Sequence, residues 1–169
     1  TINALFYDVS TRSVIDYVGG LGDLEKRLIR SIGDPRVRFV EDPVRMFRAA
    51  VLGARLGCDM DALVIEAIAE QRHLITKASS ARMLEEYFKI LRSGYAEASF
   101  RALARTRLLE LITPELASPP DALWDALARL DRYRQRFASP PPELTTAILI
   151  GTLLHPIGAL NVITRRLPD

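Results

Sequence analysis

The sequence offers little for covalent or metal cross-linking. Cys58 is the only cysteine among 169 residues, so no internal disulfide is available. The two histidines, His73 and His155, stand far apart and show no zinc-ligand spacing. A reducing, cytoplasmic setting is the expectation from this cysteine usage. Long apolar runs are also missing: the longest, "AILIGTLL" at 147–154, is too short to span a bilayer and is followed by His155-Pro156, so no membrane segment is expected. No signal-peptide pattern heads the chain. It begins at Thr1 without an initiator methionine, inside a strand-like stretch, and is expected to be part of a larger protein. No fixed period recurs, which argues against a solenoid. Lysine is scarce as well, with 3 against 20 arginines. Arginine suits bidentate contact with phosphate and carboxylate, and a compositional bias of the source genome gives the same ratio. A net charge of +2 is too small for a protein that binds polyanions over its whole surface.

What is present is enough hydrophobic content, 49%, to bury a core in one compact domain or two small lobes. Residues 2–18 alternate and are rich in β-branched and aromatic side chains, which predicts a hairpin turning at Ser10 to Ser13. Gly19 and Gly20 permit a sharp redirection, and "LIRSIG" reads as a brief strand before the turn signal "GDP". The period then changes from two to near 3.6. Helices are expected at about 43–56, 60–71, 79–92, 95–106, 120–136 and 142–153, with "SPPD" and "SPPPE" as breaks. In the fifth helix, expected to be capped from "SPPD", Leu123, Leu127 and Leu130 share a core face and Arg129, Arg132 and Arg136 lie near another. Trp124 is expected in the core.

The stretch "EDPVRMFR" at 41–48 carries the most chemistry. Asp42 is expected to cap a helix with Pro43 at its first position and Gly57 at its end. Arg45 and Arg48 then lie near the N-terminus, where a cation costs roughly 0.3–1 kcal/mol unless an anion compensates. Either Glu41 and Asp42 neutralise them locally or an anion binds. Spacing three residues apart puts Asp42, Arg45 and Arg48 on one side of the helix. A carboxylate beside a guanidinium complements the amino donor and ring-nitrogen acceptor shared by adenine and cytosine, and opposes guanine and uracil. Arg48 is then free for a phosphate. The plainer alternative is a capped helix with surface ion pairs, which contribute little.

The flanking segments add a resemblance. "TINALFYD" at 1–8, "VIDYVGGLGDLEKRLIRSIGDP" at 14–35, "EDPVRMFRAA" at 41–50 and "ARMLEEYFKILRSG" at 81–94 occur in the order and at the intervals found in the class II tRNA nucleotidyltransferase and bacterial poly(A) polymerase family. The match covers the first 95 residues well and the remainder loosely. The resemblance implies a mainly α fold in which a short β-hairpin remnant of an α/β nucleotidyltransferase head is followed by a helical neck and body. It divides the chain into head remnant at 1–35, neck at 36–115 and part of an RNA-binding body at 116–169. Asp16, Gly19, Gly20 and Asp23 match the hinge between head and neck. Asp42 and Arg45 match the pair that reads the base of the incoming ATP or CTP, and Arg48 matches a neighbouring nucleotide contact. Arg82, Glu86 and Lys89 match a later motif that braces the base-reading helix.

The sequence departs from the family pattern in two places. Val51 stands where the family often has a further arginine. The glycine-rich strand-turn and the paired carboxylates of the catalytic head are absent, and Asp8, Asp16 and Asp23 form no D-x-D pair. The resemblance therefore implies no catalytic residue and no metal ligand in this chain: Mg2+ is expected outside it, on a head in the same polypeptide, and the chain alone is expected to be inactive. Segment 81–116 looks more like poly(A) polymerase than CCA-adding enzyme. The implied reaction is template-independent transfer of AMP from ATP to an RNA 3′ end, of mRNA or tRNA, with a CCA- or A-adding tRNA nucleotidyltransferase as the alternative. A further alternative is a non-catalytic helical RNA-binding module that uses Arg105, Arg107, Arg132 and Arg134 on phosphates.

Overall fold

The computed structural model describes residues 4–159. Residues 1–3, part of the "TINALFYD" segment, and residues 160–169 lie outside the described residues. A hairpin pairs β1 (Leu5–Asp8) with β2 (Ser13–Asp16), in register Leu5 to Asp16 and Asp8 to Ser13. Its turn is held by the Asp8 carboxylate, which accepts from the Ser10 N–H at 2.8 Å and the Thr11 hydroxyl at 2.7 Å. A short helix, α1 (Gly20–Glu25), follows, and then β3 (Leu28–Ile29), α2 (Pro35–Glu41), α3 (Val44–Leu56) and β4 (Asp59–Met60). β3 and β4 pair in parallel, Leu28 with Asp59 and Ile29 with Met60. The remainder is helical: α4 (Ala62–Gln71), a 3-10 segment at Arg72–Lys77, α5 (Ser80–Leu91), α6 (Ala96–Arg105), α7 (Leu109–Ile112), a 3-10 turn at Pro114–Leu116, α8 (Asp121–Arg134) and α9 (Thr146–Leu154).

All six expected helices form, with ends shifted by a few residues. The second begins later than its period suggests, because Asp59 and Met60 join the strand pair and Asp61 caps α4 by accepting from the Leu63 N–H at 3.0 Å. The cap expected from "SPPD" is not made: α8 follows Pro120 with no side-chain cap. Helix α2 was not expected. It opens on Asp34-Pro35, the same dipeptide that opens α3, and the Asp34 carboxylate accepts from the Arg36 N–H at 2.8 Å. Seven residues are too few to show a period.

One apolar cluster runs from Phe39 to Leu153 without a break at the expected neck–body boundary. Phe47 of α3 and Phe100 of α6 are fully enclosed, and Tyr87 of α5 lies between them, with ring centroids 6.1 and 5.1 Å away. Leu123, Leu127 and Leu130 close this core from α8. Trp124 is only partly buried against it, with the Arg101 guanidinium 4.4 Å above its ring. Helix α3 ends at Gly57, whose φ of 62° is the left-handed conformation that favours glycine at a C-cap. The hairpin stands apart from this core: Phe6, Tyr7, Val14 and Tyr17 are all exposed.

Candidate functional site

Asp42 closes α2 and opens α3. Its own backbone is extended (φ −147°, ψ 98°), while Pro43 is already helical (φ −60°, ψ −24°). The Asp42 carbonyl accepts from the Arg45 N–H at 3.1 Å, and Oδ1 accepts from the Val44 N–H at 3.1 Å, so the carboxylate does the work of an N-cap. It also faces α5. Arg82 donates from Nη1 to Oδ1 at 3.0 Å and from Nη2 to Oδ2 at 2.8 Å, a fork-to-fork pair across forty residues of sequence. Partial burial works to raise the Asp42 pKa, but the Arg82 guanidinium, the Val44 N–H and the nearby Arg45 charge outweigh it and hold the carboxyl below its usual range.

The two cations near the start of α3 are compensated by different means. Arg45 donates from Nη1 to Glu41 Oε2 at 2.9 Å and to the Arg38 carbonyl at 3.3 Å, so Glu41 neutralises it locally, and its guanidinium makes no hydrogen bond to the Asp42 carboxylate. Arg38 shares the same Glu41 oxygen at 2.7 Å. Arg48 is not free, contrary to the sequence reading. Its Nε and Nη2 donate to Glu86 Oε1 at 3.2 and 2.7 Å, and Lys89 reaches that oxygen at 3.0 Å. Burial works to raise the Glu86 pKa, and these two cations hold it down. Arg82, Glu86 and Lys89, all on α5, therefore form a row of charge along α3.

Between the end of β3, α2 and α3 lies a cavity of about 260 Å³ whose wall includes Arg30, Arg38, Arg45 and Arg48. Arg30 and Arg38 were not singled out from sequence, and their signal is weak, since each is one arginine among twenty. Arg30 also binds the buried Asp23, from Nε at 3.1 Å and Nη2 at 2.9 Å, so it links the segment around α1 to this cavity. In that segment Gly19 adopts φ 73°, a left-handed conformation, and the Asp16 carboxylate accepts from the N–H groups of Val18, Gly20 and Leu21 at 2.9–3.0 Å. These three bonds hold its pKa below the usual value.

The arginines suggested for RNA differ in their surroundings. Arg105 and Arg132 are exposed. Arg107 is occupied by Glu110 at 2.9 Å. Arg134 is half-buried and donates to the carbonyls of Arg92 and Phe137 at 2.8 and 2.7 Å. It joins α8 to the end of α5. A cavity of about 920 Å³ between α8 and α9 is larger than the one by Arg45, but none of the candidate residues lines it. Among the described residues no three His, Cys, Asp or Glu side chains come together as a metal site, and no helix is long and apolar enough to cross a membrane.

Two models of one enzyme family match this chain in order: the poly A polymerase head domain over residues 1–30, and the probable RNA and SrmB-binding site of polymerase A over residues 57–118. Poly(A) polymerase I of Escherichia coli O157:H7 is 39% identical over 116 residues, which is 69% of this chain and 25% of that protein. The CCA-adding enzyme of Bacillus pumilus is 38% identical over 160 residues, 94% of this chain and 36% of that protein. The chain belongs to the class II tRNA nucleotidyltransferase and bacterial poly(A) polymerase family. It spans about a quarter to a third of the length of these relatives. Its fold agrees: the crystal structure of the Bacillus stearothermophilus CCA-adding enzyme in complex with CTP superposes with a TM-score of 0.72 at 26% identity, covering 99% of this chain and 41% of that one. Within the family, the described residues correspond to a mainly helical portion preceded by a hairpin.

Proposed function

We propose that the chain is part of a template-independent RNA nucleotidyltransferase, a poly(A) polymerase that adds AMP from ATP to RNA 3′ ends, and that Asp42 and Arg45 read the base. The state of Asp42 is the observation that carries this reading. Its carboxylate is ionised and fixed: Oδ1 takes two donors and Oδ2 one, which leaves an acceptor position on Oδ2 for an exocyclic amino group. Arg45 is held through Nη1, and its other N–H groups remain for a ring nitrogen. Adenine and cytosine satisfy both groups, whereas guanine and uracil present a carbonyl to the carboxylate.

In this reading Arg48 contacts the nucleotide from beside the base reader. Arg82, Glu86 and Lys89 hold α3 from α5, and Asp16, Gly19, Gly20 and Asp23 form the hinge toward a catalytic head. RNA is the acceptor. Mg2+ in this family supplies charge stabilisation for nucleotidyl transfer. In this reading the chain's own residues select and hold the nucleotide.

A second reading, a CCA-adding tRNA nucleotidyltransferase, is favoured by the longer match to the Bacillus pumilus enzyme and by the equal suitability of cytosine. The deciding experiment incubates the full-length protein with tRNA lacking its terminal nucleotides and with an unrelated RNA, in ATP, in CTP or in both together. Extension of both RNAs with ATP alone is the expected result. Addition of C, C and A to tRNA only replaces it with the second reading. If neither RNA incorporates nucleotide, both readings fail and a helical RNA-binding module remains.

A further inference from the structure

Helices α3 and α5 enclose a second cavity, of about 350 Å³, farther along α3 than the base-reading end, and Arg48, Arg55, Lys89 and Glu86 line it together with Val51 and Leu52. Three cations face one anion there. The single carboxylate, Glu86, is buried and already accepts from both Arg48 and Lys89, which places their charges side by side. Arg55, exposed on the last turn of α3, has no ion-pair partner among the described residues. Three like charges around a concave surface repel one another unless an anion joins them, and a guanidinium beside an ammonium suits the oxygens of a phosphodiester. A surface arginine that only complements the helix dipole needs neither a cavity nor neighbouring cations.

We infer that this cavity binds one backbone phosphate of the RNA, with Arg55 as its main contact and Lys89 and Arg48 as its flanks. RNA is the favoured source because α5, which supplies Lys89, lies within residues 57–118, matched by the model of a probable RNA-binding site. Arg55 is ten residues beyond Arg45, about 15 Å along the helix, so the site adds a contact beyond the base reader. The inference rests on the family reading for the identity of the polymer. It does not depend on catalysis.

The test measures binding of a 5′-labelled oligo(A) RNA to the full-length protein by fluorescence anisotropy across a salt series, without turnover. Arg55→Ala is expected to weaken binding about tenfold near 0.1 M salt and to reduce the salt slope by about 0.7, the loss of one single-strand phosphate. Arg55→Glu should weaken it further, and Arg55→Lys should restore most of the affinity. ATP affinity, followed in the same proteins by equilibrium binding, should stay within twofold. An unchanged RNA slope in both Arg55→Ala and Arg55→Glu overturns the inference. So does a loss confined to ATP, which assigns the phosphate to the nucleotide instead. Folding is checked by the urea midpoint, and Lys89→Gln, which leaves Arg55 in place, must reduce the RNA slope in the same direction. Because RNA affinity is read without transfer, failure of the nucleotidyl-transfer reading in the extension assay leaves this result interpretable.

Discussion

Asp34-Pro35 and Asp42-Pro43 are the same dipeptide eight residues apart, and both open a helix. Each aspartate accepts from the backbone N–H two residues on, at 2.8 and 3.1 Å. There the likeness ends. Asp34 is exposed and caps α2 with nothing else attached to its carboxylate. Asp42 caps α3 and is also clasped by Arg82 from α5. Local sequence places the carboxylate, and a distant partner gives it an orientation and a lowered pKa. A helix-start signal therefore places a carboxylate without saying what else will hold it.

Substitutions test that contrast, beginning with the largest effect. Asp42→Ala in the full-length protein is expected to lower kcat/KM for ATP about 100-fold and to erode discrimination among nucleotides, because Arg45 loses the carboxylate that completes the pattern. RNA affinity should change less than twofold. Equal losses for all four nucleotides would reduce Asp42 to the same capping role as Asp34. Arg82→Ala should cost about tenfold in ATP selection while leaving α3 formed, and Arg82→Lys should recover only part of it, since one ammonium cannot grip both oxygens.

The same variant has a signature in acid. Asp42 and Glu86 are held below their ordinary values of 3.8 and 4.5, so the stability they contribute is complete above those values and is lost as the pH falls through the lowered ones. Without Arg82 the Asp42 part of that loss should shrink, which flattens the fall in urea midpoint as the pH drops below about 4. Asp131 runs the other way. Burial raises its pKa against the two backbone N–H groups it accepts, so its contribution is complete below 3.8 and declines as the pH rises through the raised value.

Smaller effects belong to carboxylates that only cap. Asp131 of α8 accepts from the Ala96 and Glu97 N–H groups at 2.7 and 2.9 Å and so caps α6, which has no side-chain cap of its own. Asp131→Ala is expected to cost about 1–2 kcal/mol in urea denaturation, with ATP selection unchanged. Asp34→Ala should cost about 0.5–1 kcal/mol and likewise leave ATP selection unchanged. If Asp34→Ala impaired nucleotide choice as Asp42→Ala does, the contrast between the two helix starts would collapse.

Much of this was legible in the sequence, for reasons that can be traced to particular residues. The 3.6 period located six helices, Asp42-Pro43 and Gly57 bounded α3, and the alternation of residues 2–18 pointed to the hairpin that forms at Leu5–Asp8 and Ser13–Asp16. Glu41 as the partner of Arg45 follows from their separation by four residues. Helix α2 escaped because period needs length, although its start signal was identical to one that was recognised. The Arg48–Glu86 pair is separated by 38 residues, and the Asp131 cap on α6 by 35. Such partners meet only after α5 and α8 have packed against the core, so no local pattern announces them. Arg134, grouped from sequence with the arginines suggested for phosphates, donates to the carbonyls of Arg92 and Phe137, the first of them 42 residues away.

The Asp131 cap has a consequence for how this portion of the family can be moved or cut. The segment matched as a probable RNA-binding site ends at residue 118, yet the first turn of α6 inside it depends on a carboxylate beyond that end. Arg134 and Gln135 reach back in the same way, to the carbonyls of Arg92 and Gly94 at 2.8 and 2.6 Å. The matched segment is thus not a transferable cassette. A graft that keeps its native geometry must carry α8 along with it.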